Sequence, residues 1–294
     1  AAGYAKIAYQ TAYLKAHFPE EFIVASMNLS INKTENLVMF KKEIDDLGID
    51  FLKPDINHSQ TEFSIEINKE NKKCIRFGLA AVKGVGYNAM DNLVFERNKN
   101  GNFINVVDFV SRLKTDVVNK KQLEKLAQSG SFDSIENNRS FIFENVINLI
   151  SISNNINKNT NQESLFSNKD IKNEYSNNLK NTKFWSDQKK LMFELEVIGF
   201  YFSDHPISLY PKELFSILNI SDYETIINDN NCVKAKVVGS ILDIKERTSK
   251  DGNKYAFITI SDKKNQYELT IFGDVFRNYF QLIKEGNLLI FDID

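Results

Sequence analysis

The hydrophobic positions follow a helical spacing early in the chain and an alternating one at its end. In AGYAKIAYQTAYLKAHF, residues 2–18, apolar and aromatic side chains recur every three and four residues, which predicts a helix; Pro19 suits the first turn of the next, PEEFIVASMNLSI. A third helix is predicted over Thr34–Leu47, with Thr34 as N-cap and Gly48 just past its end. FLKPDINHSQ then leads into two strand candidates, EFSIEI and KCIRFG, split by the turn-like NKENK. From Leu79 to about Ile150 the spacing is helical again, in short pieces separated by glycines. Residues 151–182 are dominated by Asn, Ser and Lys, bury too little surface to offset chain entropy, and predict a flexible linker.

After the linker, WSDQKKLMFELEVIGF reads as one helix ending near Gly199, and YFSDHPISLYPKELF, with two prolines, as a turn into a short helix. From Cys232 the period becomes two: VKAKVVGSILDIKERT, YAFITISD and YELTIFG, with the Asp-Gly of KDGNK marking a hairpin. GDVFRNYFQLIKEG predicts a helix and NLLIFDID a last strand. Three strands, a helix and a strand, with one more strand expected, is the order of an OB-type barrel. The expectation is a multidomain α+β chain: a helical segment at 1–60, a helix-hairpin-helix region at 61–150, the linker at 151–182, a helical connector at 183–230 and a partial OB-type β-barrel at 231–294. A start inside a helix without Met, and a barrel lacking its last strand, fit a fragment.

Composition narrows the chemistry by exclusion. No run of about 18 apolar residues occurs, so no spanning helix is expected. Cys74 and Cys232 lie far apart, as do His17, His58 and His205, which argues for a reducing compartment and against a zinc site. With 37 basic against 39 acidic residues, any nucleic-acid footprint must be local.

LAAVKGVGYNAM, residues 79–90, carries the sharpest local signal. It is neither a Walker A loop nor a dinucleotide fingerprint, which needs a preceding strand and a third glycine. A helix–Gly-apolar-Gly–helix turn exposes consecutive N–H groups at the start of the second helix, where the dipole also favours a phosphate. Val85 would tuck inward, Gly84 and Gly86 would let a sugar–phosphate backbone approach, and Lys83 adds a charge; the alternative is a tight turn that binds nothing. NKKQLEKLAQSGSFDS has the helices of a second hairpin but one glycine, Gly130, and reads as a degenerate partner. Between Lys114 and Lys125, Lys114, Lys120, Lys121 and Lys125 outnumber Asp116 and Glu124, so this run either lines a backbone track or is a solvated face.

In order, AAGYAKIAYQTAYLKAHFPEEF, IRFGLAAVKGVG, LEKLAQSGSFD, EVIGFYFSDHPISLY and the terminal strands resemble the bacterial replicative DNA polymerase III alpha subunits, C-family polymerases, over nearly the whole sequence. The resemblance implies that residues 1–60 belong to the fingers, that a tandem helix-hairpin-helix grips duplex DNA, that a clamp-binding peptide comes next, and that an OB domain meets single-stranded template. The reaction it implies is template-directed dNTP addition to a primer 3′-OH, with two Mg²⁺ ions held by palm aspartates that this sequence lacks. Mg²⁺ is thus expected for the full enzyme, with no cofactor and no catalysis in this fragment alone; Asp45, Asp46 and Asp50 of IDDLGID read as solvated carboxylates at a helix end. QESLF is similar to the family's sliding-clamp motif, with Gln162, Leu165 and Phe166 as the clamp-binding residues.

In the fingers segment Lys6, Tyr9 and Tyr13 share a helix face with Gln10 beside them. They either pack in a core or turn toward the incoming nucleotide, with Lys6 or Lys15 near its phosphates. In the OB segment Lys234, Lys236, Lys245, Arg247, Lys250 and Lys254 outnumber Asp243, Glu246 and Asp251. Tyr255 and Phe257 alternate on one strand, with Tyr255 expected exposed to stack on bases and Phe257 partly buried. The implied partners are primer-template duplex and single-stranded DNA, the sliding clamp (beta) and other replicase holoenzyme subunits, in the cytoplasm and with no membrane. The competing expectations are a non-catalytic DNA-binding accessory protein and a decayed gene fragment.

Overall fold

Phe18 leaves helical geometry, at φ −139° and ψ 57°, because Pro19 offers no N–H to continue a helix but fits the first turn of a new one. Helices α1 (Ala2–His17) and α2 (Pro19–Leu29) result, and α3 (Thr34–Asp46) comes after them. Thr34 is the first helical residue of α3 and not its N-cap; that place falls to Lys33, whose side chain caps nothing. Gly48, at φ +65°, ends the helix as expected. The computed structural model describes residues 2–113, 118–159, 179–228, 234–249, 252, 254–263 and 265–294.

Next in the chain is a three-stranded sheet of β1 (Asp50–Leu52), β2 (Ser64–Ile67) and β3 (Lys73–Arg76), in the order β1-β3-β2. The β2–β3 hairpin was legible in the sequence, whereas β1, three residues long and parallel to β3, offers neither an alternation nor a turn to betray it. Phe63 and Phe77 meet edge to face at 5.0 Å beneath this sheet. After a single 3-10 turn at Leu79–Ala81 come α4 (Tyr87–Asn100), α5 (Val106–Arg112), α6 (Lys120–Ser129) and α7 (Arg139–Asn159). Phe103, Phe109 and Phe132 continue the core as a chain of edge-to-face contacts, at 4.9 and 5.0 Å. Ile142, Val146, Leu149 and Ile152 are buried at helical spacing, and α7 runs on through residues 151–159, where a linker was expected. The rest of that segment, from 160 to 178, lies outside the described residues.

The chain divides into two units, Ala1–Ser186 with Glu196–Gly199, and Asp187–Leu195 with Phe200–Asp294. In the second, α8 (Asp187–Ile198, to Leu195) leads to a 3-10 turn at Pro206–Leu209, then α9 (Lys212–Ile217), α10 (Tyr223–Asn228), β4 (Ala235–Thr248), β5 (Lys254–Ser261), β6 (Gln266–Ile271), α11 (Gly273–Tyr279) and β7 (Leu288–Ile293). The antiparallel sheet runs β6-β5-β4-β7. Long β4 serves two neighbours: Ala235–Ser240 pairs with β7 and Ser240–Thr248 with β5, with a register shift between Ile241 and Asp243. Val237, Ile241, Ala256, Ile258 and Ile260 pack beneath Phe276 of α11 and Ile283. Just ahead of the 3-10 turn, the buried His205 ring accepts the Ile207 N–H at Nδ1, 3.3 Å, which leaves the proton on Nε2, 2.9 Å from Ser261 Oγ at the end of β5.

Candidate nucleic-acid interface

The Gly-Val-Gly turn is built from one buried and two open positions. Val85 is fully buried and anchors the turn, while Lys83, Gly84 and Gly86 are exposed. Gly84 and Gly86 sit at φ +88° and +78°, a region in which a side chain is strained. The turn is entered from the single 3-10 turn and not from the helix expected there. It opens into α4, whose N-cap Gly86 has no side chain to cap with and whose first turn has no carboxylate. Among the described residues Met90 is the first N–H of α4 to bond back, to Gly86 at 3.3 Å, and the earlier N–H groups stay open at its positive end. The Tyr87 hydroxyl is engaged by Glu62 at 3.0 Å.

Helix α6 lies against this turn. Gln122 Nε2 donates to Val85 O at 2.6 Å, and Lys121 Cε and Lys125 Cγ are 3.5 and 3.6 Å from where a Cβ on Gly84 would stand. Lys83, Gly84, Gly86 and Lys121 are thereby brought together. Among the described residues Lys83 and Lys121 form no ion pair, Lys120 is 3.7 Å from Glu124, and Lys125 is held by Glu196 at 2.6 Å. Lys114 lies outside the described residues. Gly130 is a different case from the expected degenerate partner turn: it is buried and covered by the Arg139 guanidinium, so no ligand backbone can approach it.

On α1 no residue is buried, so Lys6, Tyr9, Gln10 and Tyr13 are not packed in a core; the Tyr9 and Tyr13 rings lie 6.2 Å apart, and Tyr13 stacks toward His17 at 4.3 Å. Lys15 is drawn away to Glu43 of α3 at 2.7 Å. Gln162, Leu165 and Phe166 fall outside the described residues, as does Lys250.

On the second unit's sheet, Arg247 faces Tyr255 and Lys245 faces Phe257 across β4 and β5. These four share the surface opposite Ala256 and Ile258, and the two rings meet at 5.5 Å. Both aromatics are therefore off the core and half-buried, Phe257 as expected and Tyr255 less open than expected. Lys254 alternates to the other face, so it does not join Tyr255. Lys245 pairs with Asp243 at 3.4 Å.

Sequence reasoning missed Gln122, for which the capping-box spacing Asn119-x-x-Gln122 was the available sign. Asp45 is bonded to Lys41 and Asp50 to Asn68, and among the described residues no three His, Cys, Asp or Glu side chains gather as a metal site. No helix among the described residues is long and apolar enough to cross a membrane.

A family model for the helix-hairpin-helix motif matches residues 48–141. Over 98% of its length the chain is 36% identical to DNA polymerase III subunit alpha of Borreliella burgdorferi and 35% identical to that of Buchnera aphidicola from Schizaphis graminum. Over 99% it is 33% identical to that of Neisseria meningitidis serogroup A. In each case the chain spans 25% of the relative's length.

Proposed function

As a relative of DNA polymerase III subunit alpha over nearly all of its residues, this chain, we propose, is the part of a cytoplasmic replicative DNA polymerase that grips DNA and tethers the enzyme. The observation that carries the reading is the Gly84–Gly86 turn, where an uncapped helix start and two lysines that form no ion pair among the described residues meet at an open backbone. Backbone N–H groups and lysines contact phosphates, which positions a duplex without reading its sequence. Lys83, Gly84, Gly86, Lys120 and Lys121 form the duplex grip, with Val85 as its anchor. Residues of α1, with Lys6, Tyr9 and Gln10 exposed, are the nucleotide-proximal fingers surface. The Lys245–Arg247–Tyr255–Phe257 face is a single-strand platform, its aromatics offered to bases and its cations to the backbone. A long β4 shared between β5 and β7 supports an OB-type barrel there. QESLF is the sliding-clamp tether, with Gln162 at the pocket rim and Leu165 and Phe166 as apolar anchors. The Mg²⁺ chemistry of dNTP addition has no donor set among the described residues, so no step of it is assigned to this chain.

Duplex binding should fall with salt as for about three to five phosphate contacts, at roughly 0.9 log unit each, and show little sequence preference. Lys83→Gln/Lys121→Gln should remove about two contacts from that slope. Unchanged binding in the double variant, or strong preference for one sequence, would refute the grip. For the tether, the chain should bind a purified bacterial sliding clamp in the micromolar range, and Leu165→Ala/Phe166→Ala should abolish it. Absence of binding by the unsubstituted chain would remove the clamp from its partners.

A further inference from the structure

Gln122 makes three hydrogen bonds with one side chain and its own amide. Its N–H donates to Asn119 Oδ1 at 3.1 Å, and its Oε1 accepts the Asn119 N–H at 2.8 Å, closing a reciprocal cap at the start of α6. Its Nε2 donates to Val85 O at 2.6 Å, 37 residues away in sequence, on the buried residue of the Gly-Val-Gly turn. Such a cap needs only an acceptor and is made equally well by Glu. Glu could not make the third bond, because a carboxylate set against Val85 O would put two acceptors together. Only the amide caps α6 and holds the turn at once.

We propose that Gln122 is a positioning residue: it fixes the first turn of α6, with Lys120 and Lys121, against the Gly84–Gly86 turn, so that lysines from both helical segments meet one stretch of duplex as a single phosphate clamp. This rests on the duplex-binding reading above. The packing agrees, since the Lys121 stem crosses Gly84 and Gln122 Nε2 lies 3.7 Å from where a Cβ on Gly86 would stand. Nothing in the clamp requires Gln122 to touch DNA; its effect passes through the lysines and the turn.

The test uses the 294-residue chain and two substitutions. Gln122→Glu keeps the cap and loses the tether, so it is read by amide hydrogen exchange at Val85 and Met90, whose N–H groups bond to Val82 O and Gly86 O across the turn, a speeding that the added charge does not mimic. Gln122→Met loses both without changing charge, so it is read by the salt dependence of binding to a labelled duplex of arbitrary sequence. Loss of one hydrogen bond should speed exchange at the turn by about three- to tenfold in Gln122→Glu while its thermal midpoint stays near that of the unsubstituted chain. In Gln122→Met the salt slope should drop by about one or two phosphates, a change that general destabilisation does not produce. Exchange unchanged in the first variant, or an unchanged slope in the second, overturns the clamp while leaving duplex binding intact. Absence of salt-dependent binding by the unsubstituted chain overturns duplex binding and the clamp together.

Discussion

Gly130→Ala should cost the first unit roughly 3–5 kcal/mol, the scale of breaking a buried ion pair. Gly130 ends α6 in the left-handed region at φ +78°, with its N–H bonded to Ala127 O and the Ser131 N–H to Leu126 O. That conformation alone penalises alanine by about 1 kcal/mol. The larger effect is spatial. Arg139 Nε would stand 2.8 Å from the new Cβ, with the guanidinium carbon and Nη2 closer still. Arg139 cannot yield cheaply, because it is buried and forked onto Asp133, Nε to Oδ1 at 2.9 Å and Nη2 to Oδ2 at 2.8 Å, with Lys53 on the same carboxylate at 2.7 Å. Burial alone would raise the Asp133 carboxyl, but the bonds from Arg139 and Lys53 outweigh it and hold it below its ordinary range. Urea unfolding followed at Trp185, whose ring packs edge-on to Phe143 of α7, reads the loss. Gly130→Asn separates the two causes: asparagine tolerates a left-handed backbone but still carries a Cβ, so it should lose nearly as much. Near-neutral behaviour of either variant would show that the guanidinium has room. In the double variant with Arg139→Ala the two losses should not add.

Much of this fold was readable from the residues alone, and the exceptions share a cause. The strands β4 to β7 betray themselves because one face is core and the other is not, so Ala256, Ile258 and Ile260 alternate with Tyr255, Phe257 and Thr259. The inward anchor at Val85 was implied by its flanking glycines. Misreadings arose where contacts join distant segments or where composition hid a pattern. The Asn- and Ser-rich end of α7 looked like linker, although Ile152 keeps the helical stripe of Leu149 going. Lys15 looked available until α3 brought Glu43 beside it, and Lys125 until Glu196 did the same. Gly130 looked like a hairpin glycine, but its reason is Arg139, nine residues further along. For a binding site this matters: which lysines stay outside ion pairs is decided by tertiary neighbours, and Lys83 and Lys121 could be told from Lys15 and Lys125 only after folding.

The second unit should lose about 3 kcal/mol of stability as pH falls from about 6.5 to about 4, through one histidine. Burial pushes His205 down to about 4, against the opposing pull of Asp262 and Asp204 and with Lys263 adding to it. Its geometry explains why the neutral ring is held: Nδ1 accepts the Ile207 N–H, so a proton there would face a donor. Unfolding frees the ring to its ordinary 6.5, and the unfolded state therefore binds a proton that the folded state refuses. The stabilisation is complete above about 6.5, declines through the interval, and is gone below about 4. Asp204 is lowered as well, by bonds from Ser208 Oγ and the His205 N–H, but from a carboxylate's ordinary value, so its contribution is lost only below the ordinary carboxylate range. The two windows are thus separate. Amide protection along β5, whose last residue Ser261 meets His205, taken relative to the intrinsic exchange rate at each pH, should be lower at about pH 5 than at about pH 7.5. His205→Gln, which cannot titrate, should be weaker at about pH 7.5 yet flat across the interval. A variant that keeps the full pH dependence would place the titrating group elsewhere and leave His205 as packing alone.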